Sequence, residues 1–302
     1  MSISSTIKKI GRGVKGASDL PREEAKEIFQ KILNQEVSSI ELGAFCIAMR
    51  MKGETAEELA GFLDAVKVQL NLLYNAKRRT IVLPSYNGSR RQMNLTPLLA
   101  LALSQMGFLV VIQGIEEFDE RVTSYQIFQK LKWPILENID QWDKCIKANL
   151  PIFVPLKVIH PRLQSFLDIR YQLGLRNSGH VLAKLLNPMQ DLSWQISNYT
   201  HPEYPKILES FFNYHPTNVV LMRGHEGEPT AAFNRLPEMH FFAGSIKTIT
   251  TQEYRFDDEF IDIPTILDID AHCEYLQKLV FSTEIPVQSI CTQTELLLKN
   301  CI

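Results

Sequence analysis

The chain has 302 residues, enough for roughly two domains of about 150 residues each or one large α/β unit. Hydrophobic residues at 45% and charged residues at 22% exclude a disordered or fibrous chain. Lys plus Arg is 32 and Asp plus Glu is 34, so the formal charge of -2 excludes a histone-like polycation.

The opening of the chain reads as helical. Asp19 is placed to cap a helix starting near Pro21, because proline suits a first helical turn. Ile28, Ile32 and Leu33 give that helix an apolar stripe. A second helix is expected over about residues 39–51, stopping at Gly53, with Cys46 on its apolar face. Thr55 and Glu58 form a capping box for a third, along which Leu59, Phe62, Leu63, Val66 and Leu70 keep helical spacing. Three short amphipathic helices leave apolar surface to spare, so a homodimer through this helical domain is expected.

After Ala76 strands and helices alternate. A strand at 80–83, a polar loop at 84–92, a helix at 97–106 and a strand at 108–113 make a βαβ unit, which implies a parallel sheet. Residues 95–114 are apolar enough to suggest a membrane span, but Ser104, Gln105 and Gly107 interrupt them. They read instead as a buried helix and a buried strand. Further strands are expected at 152–154, 219–222 and 239–242, with 162–186 helical. The fold class is therefore α/β. A helical region over residues 1–78 and a larger α/β region over 79–302 with a mostly parallel sheet are expected. The five cysteines are widely spaced without a CxxC pair, and the N-terminus lacks the apolar core of a signal peptide. A cytoplasmic protein with reduced thiols and no membrane partner is expected.

In parallel α/β sheets, ligands bind beyond the carboxyl ends of the strands. The loop Pro84-Ser85-Tyr86-Asn87-Gly88-Ser89-Arg90-Arg91-Gln92-Met93-Asn94 lies at such an end. Its backbone N–H groups and the following helix start favour an anion. Arg90 and Arg91 add charge, and Tyr86 offers a ring on which a base can stack. A solvated turn is the plainer alternative. His225-Glu226-Gly227-Glu228 lacks the spacing of a metal motif and reads as a surface loop. No metal site and no catalytic residue follow from spacing alone.

Charge is unevenly spread. From Glu253 onward there are ten acids and three bases, a net -7, so the rest of the chain holds 29 bases and 24 acids, a net +5. Lys8, Lys9, Arg12 and Lys15 precede any acid. A polyanion-binding face is compatible with the total if these bases cluster.

Several strings carry a family resemblance. Gln113-Gly114, His160-Pro161, Arg170-Tyr171-Gln172-Leu173-Gly174-Leu175-Arg176 and Leu186-Asn187-Pro188 occur in the order and spacing of the anthranilate phosphoribosyltransferases. These belong to glycosyltransferase family 3, within nucleoside phosphorylase class II. Pro84-Ser85-Tyr86-Asn87-Gly88, then Asn94-Leu95-Thr96-Pro97-Leu98-Leu99-Ala100, resembles more specifically the YbiB group of that family, which is characterised by nucleic-acid binding. Arg176-Asn177-Ser178, Ala183-Lys184-Leu185, His201-Pro202-Glu203-Tyr204 and Glu226-Gly227-Glu228 extend the match.

The resemblance implies a two-domain fold, in which a small helical domain (1–78, joined by helices near 162–190) packs on a larger α/β domain (79–302), and residual substrate positions at Ser85, Asn87, Gly88, Asn94, Gly114, His160 and Arg170. Arg170 matches the arginine that the transferases aim at the aromatic acid's carboxylate. The departures concern the pyrophosphate site. Pro84-Ser85-Tyr86-Asn87-Gly88 replaces Gly-Thr-Gly-Gly-Asp, and Ile112-Gln113-Gly114-Ile115-Glu116 replaces Lys-His-Gly-Asn-Arg. The magnesium-holding Asp-Glu pair falls near Pro229-Thr230. No cofactor is therefore expected, with Mg2+ required only if transfer persists. Arg90, Arg91, Arg121, Lys157, Arg162, Arg170, Arg176, Lys184 and Arg223 lie in segments that the family's fold brings near one cleft, and Lys8, Lys9, Arg12 and Lys15 lie on the helical domain facing it. The expected function is non-sequence-specific binding of DNA and RNA through phosphates, rather than enzyme action. The alternative is glycosyl or phosphoribosyl transfer to an unidentified nitrogen acceptor.

Overall fold

The computed structural model describes residues 2–13, 15–74, 77–256, 268–280, 282 and 286–301. Four helices open the chain: α1 (Ser4–Ile10), α2 (Arg22–Leu33), α3 (Ser39–Lys52) and α4 (Ala56–Lys67). Ser38 with Glu41 and Thr55 with Glu58 form reciprocal capping boxes that start α3 and α4. The expected Asp19 cap does not form. Pro21 is the N-cap of α2, and Asp19 instead pairs with Lys52 at 2.7 Å. The Glu58 carboxylate is buried and accepts the Lys52 ammonium (2.8 Å) and the Leu20 N–H (2.9 Å), so this cap also ties α4 to the segment before α2.

Strands and helices then alternate: β1 (Thr80–Ser85), α5 (Thr96–Gln105), β2 (Leu109–Gly114), α6 (Ser124–Leu131), α7 (Trp142–Ile146), β3 (Ile152–Pro155), α8 (Leu156–Ile159), α9 (Pro161–Asp168), α10 (Arg170–Leu173), α11 (Gly179–Leu185), β4 (Trp194–Tyr199), α12 (Tyr204–Tyr214) and β5 (Val219–Arg223). The chain closes with β6 (Arg235–Leu236), β7 (Met239–Ala243), β8 (Ile246–Thr250), β9 (Tyr254–Arg255), α13 (Ile269–Leu279) and α14 (Gln288–Asn300). The helical stretch expected over 162–186 is divided into α9, α10 and α11. Gly174, at φ +67°, ends α10 in the left-handed conformation that glycine adopts without strain. The expected strands are present, each longer at its carboxyl end by one or two residues. Strand β4 is an addition to them, because Gln195, Ser197 and Asn198 break the apolar run that marks its neighbours.

The main sheet runs β3-β2-β1-β4-β5-β7-β8. The first five strands are parallel, and β7 and β8 are antiparallel. Helices cover both faces. Val82, Val111 and Leu221 pack towards the helical lobe, while Ile81, Leu83, Val110, Ile112 and Val220 pack towards α5 and α14. Strand order changes direction between β1 and β4, the switch point where open α/β sheets bind ligands.

The later helices α9 and α11 pack on α2 and α4 and complete the helical lobe. Phe29 lies 4.9 Å from Phe62 and 5.1 Å, edge-on, from Phe166 of α9. Arg22 ties this lobe to the sheet lobe: its Nε donates to Asp64 (2.7 Å) and its Nη1 to the Tyr214 carbonyl (3.1 Å) at the end of α12. Among the described residues, no helix is long and apolar enough to cross a membrane.

Candidate anion-binding cleft at the carboxyl end of the sheet

The loop from β1 to α5 is an anion cradle already filled by its own chain. The N–H groups of Asn87 and Gly88 donate to Glu228 Oε1 at 2.8 Å each, and Thr96 Oγ1 at the start of α5 donates to Oε2 at 3.0 Å. Glu226 does the same further along. It accepts the N–H groups of Arg90 (2.7 Å), Arg91 (3.1 Å) and Gln92 (3.2 Å). Both carboxylates come from the turn after β5, where Gly227 at φ +86° allows the backbone to pass close to Asn87. The segment expected to be a surface loop therefore buries Glu228 and half-buries Glu226. Neither carboxylate fits a magnesium site: every oxygen already accepts hydrogen bonds from the loop, and Pro229 and Thr230 bring no further carboxylate.

Most residual substrate positions serve the fold. Ser85 Oγ is 2.7 Å from Ser124 Oγ. Asn94 Oδ1 accepts the Thr96 N–H, and its Nδ2 donates to the Val122 carbonyl. Gly88, at φ +63°, approaches Val122 too closely for a side chain, and a Cβ on Gly114 would run into the Ser85 carbonyl. His160 is wholly buried. Its Nδ1 accepts the Leu163 N–H as the N-cap of α9, so Nε2 carries the proton and donates to the Val66 carbonyl at 2.8 Å. Both ring nitrogens are used, which corrects the expectation of a substrate contact. Of these positions, Asn87 and Arg170 border cavities.

Arg170 belongs to a cation cluster. A cavity of about 630 Å3 is lined by Arg90, Arg121, Arg170 and Arg176 against Asp119 and Glu120, a net +2. Three guanidinium carbons surround the Phe118 ring: Arg170 at 3.7 Å, Arg176 at 4.8 Å and Arg121 at 5.4 Å from its centroid. Two of them face carboxylates at the long end of ion-pair distance, Asp119 at 3.8 Å from Arg170 and Glu226 at 3.9 Å from Arg121. The Arg170 side chain is 8% exposed, and its Nη1 has no hydrogen-bond partner among the described residues. Burial, followed by the charges of Arg121 and Arg170, pulls the Arg176 pKa below its ordinary value. A net positive charge therefore lines a cavity that an anion can enter.

A second cavity of about 620 Å3 opens at the β1–β4 switch point, with Arg176 in its wall as well as in that of the first. Tyr86 and Lys184 border it, and neither behaves as expected. Tyr86 is 1% exposed, packed in the core below the loop, so its ring is no open stacking surface. Lys184 is spent internally. Its Nζ donates to the Gly227 carbonyl (2.7 Å) and to Asn198 (3.0 Å), while burial lowers its pKa to about 8 against the pull of Glu228.

The other bases are dispersed. Lys157 pairs with Glu116 at 2.5 Å, and Lys9 pairs with Glu24 at 2.7 Å. Lys8, Arg12, Lys15, Arg162 and Arg223 are exposed and line neither cavity, and Arg91 is exposed beside Arg90. Of the fourteen side chains expected at a nucleic-acid surface, the structure gathers Arg90, Arg121, Arg170 and Arg176 in one cavity. Sequence reasoning missed Phe118, around which Arg121, Arg170 and Arg176 gather, and Arg50, which lines the second cavity beside Arg176. For Arg50, the basic position in the last turn of α3 was an available signal.

Residues 4–67 match the helical bundle domain of the glycosyl transferase family. An uncharacterized protein, YbiB of Escherichia coli (strain K12), is 38% identical over 243 residues, covering 80% of this chain and 76% of that protein. The anthranilate phosphoribosyltransferase of Dictyoglomus turgidum is 24% identical over 268 residues, covering 85% of this chain and 78% of the enzyme. Among solved structures, the anthranilate phosphoribosyltransferase of Thermus thermophilus matches with a TM-score of 0.77 at 18% identity, over 98% of this chain and 89% of the other. The Saccharomyces cerevisiae enzyme in complex with PRPP and Mg matches with a TM-score of 0.75 at 15% identity, over 99% of this chain and 88% of the other. These structural likenesses establish the fold.

Proposed function

The chain belongs to the anthranilate phosphoribosyltransferase-like family that includes YbiB, and we propose that it is a nucleic-acid-binding member holding DNA and RNA without sequence specificity. The observation that carries this reading is the convergence of Arg121, Arg170 and Arg176 on Phe118, with Arg170 Nη1 free of hydrogen bonds to the described residues. A guanidinium kept from water without a full partner is costly unless an anion completes it. Phosphates supply that anion and carry no base identity. The filled β1–α5 loop supports the same reading, because Glu228 and Glu226 take the N–H groups that a pyrophosphate would need. The protein works in the cytosol as a homodimer through its helical lobe, and two clefts on one dimer add avidity for a long polyanion.

The test is anisotropy binding to unrelated DNA and RNA oligomers across a salt series. Affinity should be independent of sequence and fall steeply with salt. Replacing Arg90 and Arg91 with alanine should weaken binding to all sequences alike. It should also flatten the slope of log affinity against log salt by about 0.9 per lost duplex contact or about 0.7 per single-strand contact. Sequence-independent binding that is absent at every salt concentration would return the transferase reading to first place.

That second reading is favoured by Arg170, which keeps the position of the arginine aimed at an aromatic acid, and by the transferase relatives. Phosphoribosyl pyrophosphate with magnesium should raise the melting temperature if this reading holds. A ligand at a hundred times its dissociation constant stabilises by about 2.7 kcal/mol. No shift and no turnover of anthranilate are expected.

A further inference from the structure

The cation cluster is also an aromatic stack with one closed end and one open end. Arg170 lies between two rings, 3.7 Å from the Phe118 centroid and 4.4 Å from that of Tyr171. Its Nη2 donates to the Tyr171 hydroxyl at 2.5 Å. Phe118 is buried at 4% exposure and closes the stack, whereas Tyr171 is 59% exposed and opens it. Leu175, nearly half exposed, lines the same cavity just beyond the end of α10. An exposed tyrosine ordinarily keeps its rotamer freedom. This one is held by a buried guanidinium, so little side-chain entropy remains to be lost when a flat ligand covers it.

We propose that Tyr171 is the platform on which this protein stacks an unpaired nucleobase while Arg121, Arg170 and Arg176 hold the adjoining phosphates, so that the cleft selects single strands over duplexes. The proposal rests on the nucleic-acid reading and adds to it the form of strand. Every base has a π-face, so stacking on Tyr171 tolerates any sequence and is consistent with a site that makes no base-edge contacts. In a duplex those faces are covered by neighbouring base pairs, and only the phosphates remain available to the arginines. Single strands thus gain both parts of the site and duplexes gain one. The ring that sequence reasoning assigned to stacking, Tyr86, lies in the core, and Tyr171 is the exposed aromatic beside the cations.

The experiment compares three labelled oligonucleotides of equal length: an unstructured single strand, a duplex, and an abasic single strand with the same phosphates. Each is titrated with the wild type, Tyr171→Phe and Tyr171→Ala over a salt series. The wild type should prefer the normal single strand to the abasic one by about tenfold. Tyr171→Ala should lose that preference, and Tyr171→Phe, which lacks the same hydroxyl contact to Arg170 but keeps the ring, should keep it. Thermal melting of the free variants should fall for both, because each removes the hydroxyl that accepts from the buried Arg170 Nη2, so binding is compared at a temperature where both are folded. Salt-dependent binding of all three oligonucleotides that ignores Tyr171→Ala overturns the stacking platform and leaves the nucleic-acid reading intact. Failure of the wild type to bind any of them overturns both.

Discussion

Glu228 Oε1 lies 2.8 Å from the backbone nitrogen of Gly88, so the turn that leads from β1 into α5 is closed by a carboxylate 140 residues further along the chain. The contact joins the ends of β1 and β5 and presents negative charge to the start of a helix, where the helix dipole favours it. The same geometry makes Glu228 a part of the fold.

Replacing Glu228 with alanine should therefore destabilise the protein. It leaves the N–H groups of Asn87 and Gly88 and the Thr96 hydroxyl without their acceptor in a buried site, at a cost of about 3 kcal/mol. Denaturant unfolding should show a lower midpoint at constant slope. Acetate or inorganic phosphate should recover part of the loss in the variant and leave the wild type unchanged, because only the variant has a vacant anion cradle. A midpoint equal to the wild type's would mean that the carboxylate does not hold the loop.

The helical lobe leaves an apolar stripe open along α3. Ile40, Ile47 and Met51 recur on one helical face and are 85%, 39% and 67% exposed. Light scattering at micromolar concentration should report about twice 34.6 kDa. Ile47→Glu combined with Met51→Glu should give the monomer with its fold retained. A wild type that is monomeric at every concentration would remove both the dimer and the avidity argument.

Acid should destabilise the protein through its buried histidines. Burial and the nearby Arg176 and Arg170 lower the His180 pKa to about 3, and burial with Lys67 lowers that of His215 to about 4. Each group takes up its proton more readily in the unfolded chain, so stability is level above about pH 6.5 and falls as the pH drops from there towards the folded values. At pH 4 the contribution of His180 alone is about 3 kcal/mol. The His180→Asn variant, which keeps a donor for the Asn177 carbonyl, should show a shallower acid-side decline in urea midpoints. An identical decline would mean that other groups govern acid unfolding.

The sequence made some of this legible and hid the rest for identifiable reasons. The two core strands β1 and β2 were visible because parallel strands covered on both faces read as unbroken apolar runs. The Thr55–Glu58 capping box was visible because its partners are three residues apart. Strand β4 was hidden by the polar residues that it turns towards the cleft, which is also why it matters there. The Asp19 cap failed because Lys52, far along the chain, claims the carboxylate. Glu226 and Glu228 were unreadable as ligands of the loop because nothing local marks a contact between segments so far apart. The arginine cluster was readable through family resemblance, which supplied the juxtaposition of Arg90, Arg121, Arg170 and Arg176, but not the Phe118 ring that three of them surround.

Phe29 packing against both Phe62 and the later Phe166, with Arg22 tied across to the end of α12, has a consequence for how the molecule comes apart. One continuous apolar cluster runs from α2 and α4 through Leu182 to Val82 and Leu221 of the sheet. The amino-terminal helices have no core that is theirs alone. Calorimetry should therefore record a single endotherm whose van't Hoff and calorimetric enthalpies agree. A fragment ending at residue 78 should be found largely as coil, since its aromatic faces would be left in water.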